Sequence, residues 1–288
     1  MLLSKIYPLL ALIPTAFCGV SLGRESPWKL FFLVLIYPGF TLALFALHFV
    51  VAYFWSLILK RFPEPETPKK IYSYMTVATE DILCRFAGAK LEGFDPSALP
   101  EGPFLLVSNH LSNFDPIVTS VWLSKRKSVF ISKESNFRLP IAGSFIRQAG
   151  YLCIDRSDPM KAMAAVSCAV KRLDQGFFVG VYPEGTRSKT GKLGEFRDGI
   201  FLIAKKAAVP VVVVTLSGTE KIHKNFFRRR TSVKLTLSGI IDKETVAASR
   251  TGTLSQIAQE MIGKTQKSEP HIPVSYTHLR AHETVLDL

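Results

Sequence analysis

The apolar positions of this chain are concentrated at its start. Residues 6–22 carry no charged side chain, and Pro8 and Pro14 predict a loosely inserted or interfacial arm rather than one clean helix. Residues 30–59 then run for thirty positions without Asp, Glu, Lys or Arg. As a straight helix that run would be about 45 Å long, against a hydrocarbon core of about 30 Å. Pro38-Gly39 predicts an early kink or break. The remainder, 40–59, is long enough to span. Its aromatics Phe45, Phe49, Tyr53, Phe54 and Trp55, and the following Lys60-Arg61, suit an anchor at a membrane interface. Residues 1–62 are therefore read as a membrane-anchoring helical region. One span, a two-helix hairpin and a monotopic insertion all fit the pattern.

The pattern changes after a Pro- and charge-rich linker, residues 63–70. A helix-like stretch at 71–88 leads through turn chemistry into short apolar strands that alternate with helical periodicity. The strands are expected at 104–108, 128–132, 151–154, 178–182, 210–216 and 233–240. The helices are expected at 116–124, 138–148, 160–175, 198–207 and 253–266. Such alternation predicts an α/β fold, with a mixed, largely parallel sheet flanked by helices, over residues 71–273. The last stretch, 274–288, is out of character with the rest and is read as a non-native tail. Its His278 and His282 are accordingly kept out of any metal site.

Composition narrows the partners. A 48% hydrophobic and 20% charged chain is not disordered, and a net charge of +13 draws it to polyanions. With an apolar N-terminus, an anionic membrane or a phosphorylated substrate fits better than nucleic acid, for which no recognition motif is present. Arg228, Arg229 and Arg230, beside Phe226 and Phe227, could rest on anionic headgroups. Cys18, Cys84, Cys153 and Cys168 have no zinc-type spacing and are expected to be free thiols, so no metal is implied.

Four segments carry candidate chemistry, each at or beyond a predicted strand. In NHLSNFDP, Pro116 suits the start of a helix with Asp115 as its N-cap, and the short turn between can bring the Asp115 carboxylate back to His110. A carboxylate on one ring nitrogen fixes the tautomer and leaves the other nitrogen as a base. No G-x-S-x-G nucleophile elbow occurs, so the pair suits direct attack by a substrate alcohol. In VYPEGTRSK, Gly185 permits close backbone approach, and Thr186, Arg187 and Ser188 can donate to an anion such as phosphate. Arg156 follows the strand in CIDR, and Pro210 opens the apolar run VPVVVV.

Together these segments resemble the glycerolipid acyltransferase family over about residues 71–245, nearest its 1-acyl-sn-glycerol-3-phosphate acyltransferases. Asn109, His110, Ser112 and Asp115 match its NHxSxxD motif, and residues 184–188 match its EGTRS motif. The resemblance implies that His110 is the general base and Asp115 its partner. It implies further that Arg156, Glu184, Gly185, Thr186, Arg187 and Ser188 bind the acceptor and that Pro210 belongs to an acyl-donor motif. The implied reaction transfers an acyl group from acyl-CoA or acyl carrier protein to the sn-2 hydroxyl of 1-acyl-glycerol 3-phosphate, forming phosphatidic acid. No bound cofactor or metal is implied. The partners are a membrane, a lysophospholipid and the thioester donor. The expected location is a bacterial inner membrane with the site on the cytoplasmic side. Glycerol 3-phosphate or another lysophospholipid as acceptor, and a non-enzymatic phospholipid-binding role, remain open alternatives.

Overall fold

A computed structural model describes residues 3–21, 29–154, 158–188, 190–226, 228 and 230–268. The chain begins with two long helices, α1 (Leu3–Ser21) and α2 (Lys29–Leu59). Tyr7 meets Phe45 and His48 of α2, which sets the two helices antiparallel, as a hairpin. Both continue unbroken through their prolines: Pro8 and Pro14 lie inside α1, contrary to expectation, and Pro38 lies inside α2 without ending it. Within these helices Thr15 donates to Ala11 O at 2.7 Å, and Thr41 donates to Tyr37 O at 2.9 Å. Val34–Leu59 is long and apolar enough to cross a membrane, and only 17% of its apolar window is buried by protein.

The rest of the described chain folds around one sheet. Its elements are α3 (Lys70–Phe86), β1 (Ala89–Gly93), β2 (Leu105–Ser108), α4 (Asp115–Trp122), β3 (Ser128–Lys133), α5 (Glu134–Phe137), α6 (Ala142–Gln148) and β4 (Leu152–Ile154). They continue as α7 (Pro159–Asp174), β5 (Phe178–Val181), α8 (Leu202–Ala207), β6 (Val211–Ser217), α9 (Ile222–Asn225), β7 (Thr231–Ile241), α10 (Lys243–Ala248) and α11 (Thr251–Ser268). The strand order is β1-β7-β6-β2-β5-β3-β4, and only the β6–β7 pair is antiparallel. The mixed, largely parallel sheet flanked by helices is as the alternation predicted. All six expected strands are present; β1, the seventh, is an edge strand whose residues (AKLEG) lack an apolar run.

Burial explains the order. The central strands β2, β5 and β6 are buried at nearly every position, as apolar runs covered on both faces must be. One continuous core joins them to Phe104, Phe130, Phe178 and Phe201. Because β2 runs parallel to both β5 and β6, the loops leaving the carboxyl ends of three adjacent strands converge. Phe226 packs against this core, so it is not a free aromatic for membrane insertion; Phe227 and Arg229 lie outside the described residues, as does the tail 274–288. None of the four cysteines is in a disulfide, and Cys153 and Cys168 are exposed.

Residues 63–70 do not hang free as a linker. Arg172 of α7 donates to the carbonyls of Pro65 (3.0 Å) and Glu66 and to that of Gly150 (3.3 Å). Gln148 donates to Pro63 O at 3.1 Å. Gly150, at φ +84°, lets Pro68 approach to a place where a β-carbon would stand 2.2 Å from its Cγ. The strap fixes how the hairpin enters the sheet domain. Arg172→Met removes donors from three carbonyls, and hydrogen bonds from a charged group are worth about 1.5–3 kcal/mol each. The variant should melt several degrees lower and be cleaved faster between residues 62 and 68 in limited proteolysis. An unchanged cleavage pattern would show the strap to be held by other contacts.

Candidate active site

The site begins where β2 ends. Asn109 is fully buried and staples that end to β6: its amide donates to Leu216 O at 2.9 Å, and Leu216 N–H donates back to Oδ1 at 2.8 Å. The chain then turns, and α4 starts at Asp115 itself, one residue earlier than expected. Asp115 is therefore not a helix cap. Its carboxylate, wholly buried, turns back toward β2 and is met by four groups. Oδ2 accepts from Leu111 N–H (2.6 Å) and Ser112 N–H (2.8 Å) and lies 2.7 Å from His110 Nδ1. Oδ1 accepts from the Thr219 hydroxyl at 2.5 Å. A buried charge is tolerated only when its lone pairs are met in this way.

The geometry sets the proton on the imidazole. Asp115 can only accept, so neutral His110 carries its hydrogen on Nδ1, and Nε2 is left as an acceptor. The ring is partly exposed, at 19% of its side-chain surface, while Asp115 is at 0%. Tyr182 stacks on the imidazole with centroids 4.6 Å apart. The pair thus has a buried orienting end and an open basic end.

The segment 184–188 arrives from the end of β5. Gly185 sits at φ +73°, and its N–H donates to Tyr182 O at 3.0 Å, closing the turn. Ser188 N–H donates to His110 O at 2.8 Å, so this segment is bound directly to the His110 loop. Thr186 and Arg187 are exposed beside it. A cavity of about 530 Å³ opens along the segment, lined by Glu184, Thr186, Ser188, Thr190, Lys192 and Arg197 among others. Glu184 is the exception to the expected acceptor-binding set. Its carboxylate accepts from His110 N–H (2.7 Å) and from Gly194 N–H (2.9 Å), so both oxygens are committed to the backbone. An acceptor-only carboxylate does not coordinate an anion; here it ties two loops together.

One expected residue is not gathered in. Pro210 precedes β6 at the far end of the sheet, where its carbonyl accepts from Leu105 N–H (3.0 Å), while His110 lies beyond Ser108 at the opposite end of β2. Arg156 lies outside the described residues. Conversely, Thr219 was not anticipated. It follows β6, adjacent to β2, and that adjacency was the only signal that could have indicated it. Among the described residues no group of three or more His, Cys, Asp or Glu could hold a metal.

The arrangement predicts the Nδ1–H tautomer for His110, readable from nitrogen chemical shifts in [¹⁵N]histidine-labelled protein. Thr219→Val should loosen Asp115 and cost about 1.5–3 kcal/mol of stability, the range for a hydrogen bond to a charged group. A His110 spectrum dominated by the Nε2–H form would contradict the geometry.

The acyltransferase family model matches residues 91–217. The chain is 39% identical over 137 residues to a chloroplastic 1-acyl-sn-glycerol-3-phosphate acyltransferase of Arabidopsis thaliana, an alignment covering 48% of this chain and 38% of the relative. It is 29% identical over 164 residues to the 1-acyl-sn-glycerol-3-phosphate acyltransferase of Salmonella typhimurium, covering 56% and 66% respectively. The chain thus spans about two fifths of the length of the plant relatives it matches. In fold it is similar to the crystal structure of the 1-acyl-sn-glycerophosphate acyltransferase PlsC from Thermotoga maritima. The TM-score is 0.56 at 24% identity, covering 75% of this chain and 88% of that one.

Proposed function

We propose, from the premise that residues 91–217 form a domain of the acyltransferase family, that this chain acylates the free hydroxyl of a lysophosphatidic acid at a membrane surface. The observation that supports this most is the His110–Asp115 pair, with Nδ1 held by a buried carboxylate and Nε2 left as a base. In the proposed step, Nε2 takes the acceptor's hydroxyl proton as that oxygen attacks the thioester carbonyl. Asp115 stabilises the imidazolium so formed. The tetrahedral intermediate collapses, the carbon–sulfur bond breaks, and the leaving thiolate takes the proton from Nε2. The product is phosphatidic acid, and protons balance without an outside acid.

The groups around the pair divide the remaining work. Arg187, with the hydroxyl of Thr186, offers charged and neutral donors for the acceptor's phosphate, and Arg is suited to its bidentate geometry; the Ser188 hydroxyl instead donates to Lys192 O at 2.7 Å. Glu184 holds the His110 backbone rather than the substrate. The α1–α2 hairpin fits a substrate that stays in the bilayer, since Val34–Leu59 is long and apolar enough to be embedded there. The donor is acyl-CoA or acyl carrier protein, and the site works on the face where those thioesters are available, the cytoplasmic face of a bacterial inner membrane. No bound cofactor enters the step.

A membrane-fraction assay with lysophosphatidic acid, glycerol 3-phosphate and other lysophospholipids, against both donor types, tests the proposal. Lysophosphatidic acid should be the preferred acceptor. His110→Ala should lose about 10²–10⁴-fold in kcat, the range for a positioned general base. Arg187→Ala should chiefly raise KM for phosphorylated acceptors. Turnover by His110→Ala within a few fold of the unmodified chain would sink the assignment.

A further inference from the structure

One buried acid has no part in the step just described, yet it stands behind it. Glu80 lies on α3, and its carboxyl meets the hydroxyl of Ser120 on α4, the helix that Asp115 opens. Ser120 has one hydrogen and faces two acceptors, Glu80 Oε2 and, at 3.0 Å, Ile117 O. A protonated Glu80 satisfies both: it donates to Ser120, which donates to Ile117. Burial favours the same neutral form and pushes the carboxyl up to about 8, against the lowering effect of Ser120.

Two buried tyrosines lie near enough to Glu80 to feel its charge. Burial raises both Tyr151 and Tyr182 well above their ordinary range, and a charge on Glu80 adds to each; Tyr182 feels Asp115 as well. The hydroxyls of Tyr151 and Tyr182 are buried, the first beside Ser120 and the second beside Thr119. Tyr182 is the ring stacked on His110. It is therefore flanked by two carboxyl groups, one charged and fully met by donors, the other able to stay neutral.

We propose that Glu80 is a positioning residue that acts in its neutral form. Through Ser120 it fixes α3 to α4, and it keeps the buried side of Tyr182 free of a second negative charge, so that this ring holds its stack on His110. Ionisation of Glu80 would bury a second negative charge there and disturb the stack.

Other titratable groups come from each element packed around α3. On its own helix, Asp81 is paired with Arg85 at 3.2 Å, and burial pushes the Cys84 thiol up to about 12. From β4 and β5 come the two tyrosines, and from the start of α4 comes Asp115. Arg147 is the cation on α6, the neighbour of α3 on its other side. From the hairpin, His48 reaches α3 through Thr79 at 3.1 Å, and its Nδ1 is taken by Tyr7. Lys90 and Glu92 of β1 pair with each other at the surface.

The sign follows from proton binding. Unfolded, Glu80 titrates near the ordinary value of about 4.3; folded, it keeps its proton up to about 8. The folded state binds the extra proton between those values, so stability falls as pH rises through that window and is level above it. Glu80→Gln mimics the neutral form and keeps a donor for Ser120.

The test uses the full chain in detergent micelles with [¹⁵N]histidine. The His110 ring signals should show an inflection near pH 8 that is absent in Glu80→Gln, and the melting temperature of Glu80→Gln should rise above that of the unmodified chain progressively from pH 5 to pH 8. The kinetic arm rests on the acyl-transfer reading: kcat of the unmodified chain should decline above about pH 8, and that of Glu80→Gln should not. A melting difference without the His110 inflection would make Glu80 a structural acid only and overturn the proposal, as would parallel melting curves. The inflection without any acyl transfer would instead sink the functional reading and leave the positioning role standing.

Discussion

The Asp115 carboxylate is the interaction on which the site depends. It carries a charge in a fully buried place, which is costly unless every lone pair is used. Four groups use them: two backbone N–H groups of the turn it closes, the His110 ring, and the Thr219 hydroxyl from the far side of β6. The same contacts that make the charge tolerable orient the imidazole. Removing any one leaves a buried acceptor unmet, so orientation and local stability are not separable here.

The sheet order makes those contacts possible. With β2 between β5 and β6 and parallel to both, three loops meet at one end: residues 109–114, the segment from Tyr182 and the turn carrying Thr219. Asn109 locks β2 to β6, and Glu184 locks the His110 backbone to Gly194. The strap at 63–70 ties the apolar helices to Gln148 and Arg172 of the sheet domain.

Much of this could be read from the chain. Apolar runs marked the central strands, because strands covered on both faces have no polar alternation to blur them. The four residues between His110 and Asp115 indicated their pairing, because a turn of that length closes locally. Long-range contacts were not readable. Thr219 reaches Asp115 across 104 positions, Glu184 reaches His110 across 74, and Ser120 reaches Glu80 across 40. A motif names residue types; it does not say that Glu184 spends both oxygens on backbone N–H groups. The prolines misled in a different way: each removes one backbone donor, and that loss did not end α1 or α2.

The central claim is that His110 activates the acceptor's own hydroxyl and that no acyl group is ever bonded to the protein. Mixing the enzyme with labelled acyl thioester in the absence of acceptor, and quenching on the millisecond scale, tests it most directly. The account predicts no burst of free thiol and no label on the denatured protein. A stoichiometric burst, with the acyl group retained on a side chain, would contradict it.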